Sequence, residues 1–457
     1  MTVRARRKLA VSYLALLPAL LMISTAPATA ARDTHPSSAT NASTQGIAAW
    51  AIASPDLRAD PAVRLGVLPN GMRYALMHNE TPKGAGAIRF AFNVASLEEE
   101  DREKGVAHYL EHMAFNGSKA IPEGKLVPML ERLGLAFGAD TNASTGFDRT
   151  TYKLDLPKAD TATVDAGLLM MREIAGNLTI SQAAVERERG IIQSEARVRN
   201  NVQRRQAESL LSTMLPTSRL SSRISITPEE VARTDSAVIR NFYDGYYRPE
   251  RATLVIVGDF DVAAMEQKIR ARFADWRGRG PARAGYARPN PETVKPGIGL
   301  FVESAVPESI SMQHVAAYTA PLNSVADERD ELLKLIAGAA LTNRLGILSR
   351  SAESPIRGAS VGGAKLFRSA QSFGIDISPK DGKSTEALAL AEQEMRRAMQ
   401  YGFNPGEIDE AKANIATALA NAVKQVAGRT DATLAEQLVD QSIDQSLPMS
   451  PADQLAL

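Results

Sequence analysis

Apolar positions in this chain fall into short alternating runs separated by stretches at helical spacing, and the switch between the two periods lays out the elements. Two apolar segments flank Asn70-Gly71, a dipeptide suited to a two-residue hairpin turn, and predict strands over 63–69 and 72–79. Ile88, Phe90 and Phe92 alternate with Arg89, Ala91 and Asn93, which predicts a strand over 87–94. A helix follows over 104–115, stopped by Asn116-Gly117, and a second over 123–134. Strands are predicted over 135–143 and 149–156, then helices over 161–178, 182–212 and 228–242. The continuous apolar run from Ala252 to Val257 reads as a buried strand over 251–257, with a closing helix over 261–275. Strands and helices are mixed rather than strictly alternating, which indicates an α+β fold.

A Pro-, Gly- and Arg-rich passage over 277–298 reads as a linker between two domains, 62–276 and 299–457. The second domain repeats the grammar of the first. Strands are expected over 299–304, 309–318, 358–364 and 371–377, with helices over 327–349, 385–401 and 405–425. The spacing implies an internal duplication with a period of roughly 230 residues. No counterpart of strand 251–257 follows, so the second domain is expected to be incomplete at its C-terminal end.

Composition narrows the picture. The 457 residues carry a formal charge of +1 with no sustained basic stripe, which argues against a nucleic-acid partner. There are no cysteines, so disulfides, thiolate metal sites and cysteine nucleophiles are excluded together. A basic start (Arg4, Arg6, Arg7, Lys8) precedes an apolar stretch over 9–23 and the small-residue exit Ala28-Thr29-Ala30, the layout of a secretory signal peptide over 1–30 cut after Ala30. Cleavage would leave a net charge of −3 and, on this reading, no run long enough to span a bilayer. A periplasmic or secreted protein is expected, with 31–61 as an N-terminal extension.

The candidate chemistry lies in the first domain. His108 and His112 are one helical turn apart on one face, so two imidazoles can reach a single ion. Glu111 lies between them, placed to stand beside that ion as a general base without ligating it. With no cysteine available, a third ligand must be a carboxylate or a further histidine. Within 182–212, Glu188 and Glu195 are two turns apart on one face, with Ile192 between them. One carboxylate would complete a two-His, one-Glu site, and the other would orient a ligand from behind.

The run Gly105-Val106-Ala107-His108-Tyr109-Leu110-Glu111-His112-Met113-Ala114-Phe115-Asn116-Gly117, followed by Glu186-Arg187-Glu188 and Glu195, resembles the pitrilysin/insulinase family of inverted-motif zinc metallopeptidases. Thr141 to Thr145, Arg149 to Tyr152, and Tyr246-Tyr247-Arg248-Pro249 with Ala252 to Gly258 resemble further family segments. The resemblance implies two homologous mixed α/β sandwich domains, the second without a metal site, and one Zn²⁺ per chain. It implies His108, His112 and Glu195 as ligands, Glu111 as general base, and Glu188 as the carboxylate behind a ligand. It implies that peptide substrate adds as a strand to an exposed edge at Asn142 and Ala143. It also implies a chamber of two halves, the distal one contributing an Arg/Tyr pair, so a second pair of domains or a partner subunit is expected. Two function classes fit: a zinc endopeptidase acting on peptides or unfolded segments, and a noncatalytic scaffold or half-chamber subunit of the same fold. The presence of all four site residues favours the enzyme.

Overall fold

A computed structural model of the chain describes Trp50, residues 56–293 and residues 295–457. The expected signal peptide and most of the N-terminal extension lie outside the described residues.

The first unit is built on a six-stranded sheet. Its strands are β1 (Val63–Val67), β2 (Arg73–His78), β3 (Gly86–Phe92), β4 (Thr141–Thr145), β5 (Thr150–Leu156) and β6 (Ala252–Gly258), in spatial order β1-β2-β6-β3-β5-β4. All neighbours pair antiparallel except β2 and β6. Gly71 takes the left-handed backbone (φ 93°) that the β1–β2 turn requires. Between the strands run α1 (Val106–Met113), α2 (Leu126–Glu131), α3 (Thr161–Gly176), α4 (Gln182–Arg199), α5 (Val202–Met214), α6 (Arg219–Ser222), α7 (Pro228–Arg233) and α8 (Ser236–Tyr246). Then α9 (Val262–Phe273) follows β6.

Side-chain alternation sorts the sheet into two cores. Tyr74, Leu76, Ile88, Phe90, Phe92, Leu254 and Ile256 face a cluster that includes Tyr109, Leu110, Leu168, Phe242 and Ile269. Their neighbours Ala75, Met77, Ala87, Ala91, Val255 and Val257 face the opposite way. Both faces of the sheet's centre are therefore buried, which is why β3 and β6 are buried at every residue.

The second unit holds a three-stranded antiparallel sheet, β7 (Ile310–Ala317), β8 (Ile356–Leu366) and β9 (Ala370–Pro379), ordered β7-β9-β8. It carries α10 (Val325–Ser349), α11 (Ser384–Tyr401), α12 (Pro405–Lys424), α13 (Asp431–Asp444) and α14 (Pro451–Ala456). Helix α13 belongs to the first unit's core: Leu434, Leu438, Val439 and Ile443 cover the second face of the six-stranded sheet. Arg89 on β3 is buried there between Glu436 of α13 (2.6 Å) and Asp155 (2.7 Å).

Several expectations need correction. The helix over 182–212 is two helices, because Asn200 ends the first and the Asn201 side chain caps the second by accepting from Arg204 N–H. The helix over 228–242 is likewise divided, with Asp235 capping α8. The strand over 135–143 begins only at Thr141, since a turn with Gly138 at φ 93° occupies the preceding residues. The strand over 299–304 is not formed: its alternation is correct, but no described segment pairs with it. Among the described residues one helix, α10, is long and apolar enough to cross a membrane by length and composition, contrary to the sequence reading. It lies against β8 and α12, with Gly338, Ala340, Leu341 and Leu345 buried.

Candidate metal centre

Helix α1 is set by buried polar contacts at its start. Glu99 accepts hydrogen bonds from Gly105 N–H (3.0 Å) and Ala107 N–H (2.8 Å), satisfying amides that the first helical turn leaves unpaired. Burial pushes the Glu99 carboxyl up to about 8 despite those donors. Tyr109, fully buried one residue after His108, donates from its hydroxyl to Val185 C=O (2.8 Å) and so ties α1 to α4.

This docking brings the predicted residues of both helices together. One ligand atom each from His108, His112 and Glu195 lies within 4.8 Å of the others, a group that could hold one metal ion. The two imidazoles stand nearly perpendicular (89°) with centroids 4.9 Å apart. Glu195 Oε2 is 3.3 Å from His108 Nε2 and 3.7 Å from His112 Nε2. That oxygen is buried and has no hydrogen-bond partner, as has His108 Nδ1. A buried carboxylate oxygen with no hydrogen-bond donor, facing two imidazole nitrogens, suits a divalent cation, and the two-N, one-O donor set fits zinc.

Glu188 sits behind His112: its Oε2 accepts from His112 Nδ1 at 3.0 Å, while its Oε1 accepts from Asn116 Nδ2 at 3.0 Å. A carboxylate at Nδ1 places the proton there and leaves the Nε2 lone pair facing Glu195. Asn116 is itself fixed by donating to His112 C=O at 3.0 Å. The same carboxylates also favour a second proton on the His112 ring, one that a metal ion at Nε2 would displace. Burial opposes charge on His112, but Glu188 and Glu195 outweigh it and raise its imidazole to about 9. Burial dominates at His108 and lowers it. At Glu195 burial is overcome by the two imidazoles, which hold its carboxyl well below the usual range.

Glu111 points toward the sheet edge, where its Oε2 accepts from the Thr145 hydroxyl at 2.6 Å. Thr145 ends β4, the edge strand that also carries Asn142 and Ala143; among the described residues it pairs with β5, with one bridge from Thr141 to Phe137. Asn142 Oδ1 accepts from Ala143 N–H (2.9 Å), and the Ala143 side chain is buried. Arg199, one turn after Glu195, lies 3.4 Å from Glu195 Oε2 and 3.3 Å from His108 Nε2. Sequence reasoning missed Thr145, Asn116, Glu99 and Arg199 as members of the site. Only Arg199 carried a local signal, its four-residue spacing from Glu195.

Two family models match the chain: the insulinase family of peptidases (M16) over 74–227, and the M16 inactive domain over 235–415. The probable zinc protease PqqL of Escherichia coli (strain K12) is 28% identical over 404 residues, covering 86% of this chain and 42% of that protein. The stromal processing peptidase of Pisum sativum is 34% identical over 226 residues, 48% of this chain and 17% of that protein. The chain thus spans less than half the length of these relatives. Among solved structures, the periplasmic protease PqqL from Escherichia coli matches with a TM-score of 0.77 at 25% identity, covering 88% of this chain and 44% of that one. Pitrilysin matches in fold with a TM-score of 0.61 at 19% identity, covering 89% and 44%. With a peptidase-type unit and an inactive-type unit in sequence on one chain, the protein belongs to the insulinase (M16) peptidase family.

Proposed function

We propose that this chain carries the catalytic zinc site of an endopeptidase acting on peptides or unfolded polypeptide segments. The observation that carries the reading is the convergence of His108, His112 and the buried Oε2 of Glu195, with Glu111 alongside. His108, His112 and Glu195 would hold one Zn²⁺, with Glu188 fixing the tautomer of His112. When bound, zinc supplies Lewis-acid chemistry that brings the pKa of a bound water toward neutrality. Glu111 is the group that moves protons: Thr145 occupies Oε2, leaving Oε1 to take a proton from the attacking water and return it to the departing amine. The edge of β4 would receive substrate as an added strand, with Asn142 and Ala143 facing the peptide backbone.

The relatives' greater length supports a working chamber that includes a second half, on the same polypeptide or on a partner subunit. The signal-like start of the sequence and the periplasmic relative support action in the periplasm or outside the cell. The test compares this chain with Glu111→Gln, scoring zinc content and peptide cleavage. Retained zinc with cleavage reduced by about 10²–10⁴-fold supports the mechanism. Equal cleavage by the two forms would sink it, and absence of cleavage in both would favour a half-chamber subunit.

A further inference from the structure

The second unit reaches into the first beside the metal centre, through the turn that joins β8 to β9. Ser369 N–H donates to Leu366 C=O (2.8 Å), closing a turn whose two central residues, Phe367 and Arg368, both take left-handed backbone (φ 50° and 51°). Such a turn favours Asn and Gly, because a larger side chain is crowded by its own backbone there. Two bulky residues keep that conformation only where contacts outside the turn hold them. Both side chains end in the first unit. Phe367 packs on Phe147 with ring centroids 4.5 Å apart. Arg368 donates from Nε to Asp148 Oδ2 (2.9 Å) and from Nη2 to Asp148 C=O (3.2 Å).

Phe147 and Asp148 belong to the connection between β4 and β5, Gly146-Phe147-Asp148-Arg149, closed by Gly146 N–H on Arg149 C=O (2.9 Å). Asp148 is 6% exposed, so its ion pair with Arg368 is largely shielded from water. Arg149 pairs in turn with Asp440 of α13, so both charged side chains of this connection are held from the second unit. From the first unit come backbone contacts: Leu97 N–H donates to Phe147 C=O (2.8 Å) and the Ser96 hydroxyl to Gly146 C=O (3.1 Å).

The connection starts one residue after Thr145, whose hydroxyl donates to Glu111 Oε2 at 2.6 Å. Strand β4 lies at the sheet's edge, so its position depends on β5 and on what holds its ends. A displacement at Phe147 and Asp148 is therefore passed to Thr145, and from Thr145 to the Glu111 carboxylate.

We propose that Arg368 is a positioning residue: the β8–β9 turn of the second unit fixes the β4–β5 connection and, through Thr145, sets where Glu111 stands. This assignment rests on the proposed role of Glu111 as base. It gives a part in the chemistry to a unit that holds no candidate metal group among the described residues.

The test uses the zinc-loaded full chain with Arg368→Ala, Asp148→Ala and the two combined, followed first by hydrogen exchange. Amides over 144–147 should exchange at least about tenfold faster in Arg368→Ala, because a shielded, charge-assisted pair is lost. The double variant should exchange no faster than the faster single one, since both substitutions remove the same contact. Protection over 252–258 and zinc content should match the parent chain, which separates a local release from unfolding. Peptide cleavage should fall in kcat for Arg368→Ala and for Thr145→Val, with no further fall when the two are combined, because both act through Glu111. Arg368→Lys should recover part of the loss. Unchanged exchange over 144–147, or faster exchange confined to 356–379, overturns the proposal, as does a loosened connection with kcat equal to the parent's. A parent chain that binds no zinc or cleaves no peptide counts against the reading of the site instead, and exchange over 144–147 then decides this one.

Discussion

Glu188 Oε2 lies 3.0 Å from His112 Nδ1, and on the proposed reading the site's metal affinity should depend on that contact. Glu188→Ala is expected to weaken zinc binding by about 10–100-fold in a chelator competition, with the fold unchanged. Affinity equal to the parent chain would show that His112 is oriented by something else. Helical spacing put His108 and His112, four apart, and Glu188 and Glu195, seven apart, on common faces, while the division of roles among them and Glu111 came from the family resemblance. Thr145 and Asn116 were not legible, although both lie in segments that resemble the family. Their roles arise from contacts with Glu111 and Glu188, 34 and 72 residues distant in sequence, which no periodicity reports.

At the scale of the element, α1 is held by a buried acid, and that acid makes a signed prediction. The Glu99 carboxyl is shifted by burial from an ordinary 4.5 to about 8. The folded chain therefore holds this proton more tightly than the unfolded chain does. The stability contribution is complete below about pH 4.5 and is lost as the pH rises through about 8. Thermal unfolding between pH 5 and 8.5 should show a falling melting temperature, and Glu99→Gln should flatten that fall. An identical slope in the two forms would remove Glu99 as its source. Most elements were readable from period and caps, and the misses have local causes. Asn200-Asn201 interrupts a helix that charge and apolar spacing carry straight through, because a side-chain cap competes with helix continuation over one residue. Residues 299–304 show the reverse: the pattern is that of a strand, yet a strand needs a neighbour to pair with.

For the whole molecule, the joining of the two units through α13 was the feature least visible in the sequence. The face formed by Ala75, Ala87, Ala91, Val255 and Val257 is covered by a helix nearly 180 residues or more further along the chain. Continuous apolar runs at β3 and β6 signalled burial on both sides but not the identity of the cover. Leu438 is 4% exposed in that contact, and Leu438→Ala should cost about 2–5 kcal/mol in denaturant unfolding. A change under about 0.5 kcal/mol, the range of surface substitutions, would mean that α13 does not hold the units together. The duplication itself was legible, because strand–helix order repeats even where the metal-binding residues do not.

The central claim is that two helices remote in sequence converge on one zinc ion. The most direct measurement is metal content per chain, determined by mass spectrometry of the zinc-loaded and desalted protein, for the parent and for Glu195→Ala. One zinc per chain in the parent, retained in Glu111→Gln and lost in Glu195→Ala, is the predicted result. A full equivalent of zinc in Glu195→Ala would contradict the account, because the ion would then be held without the carboxylate that completes the site.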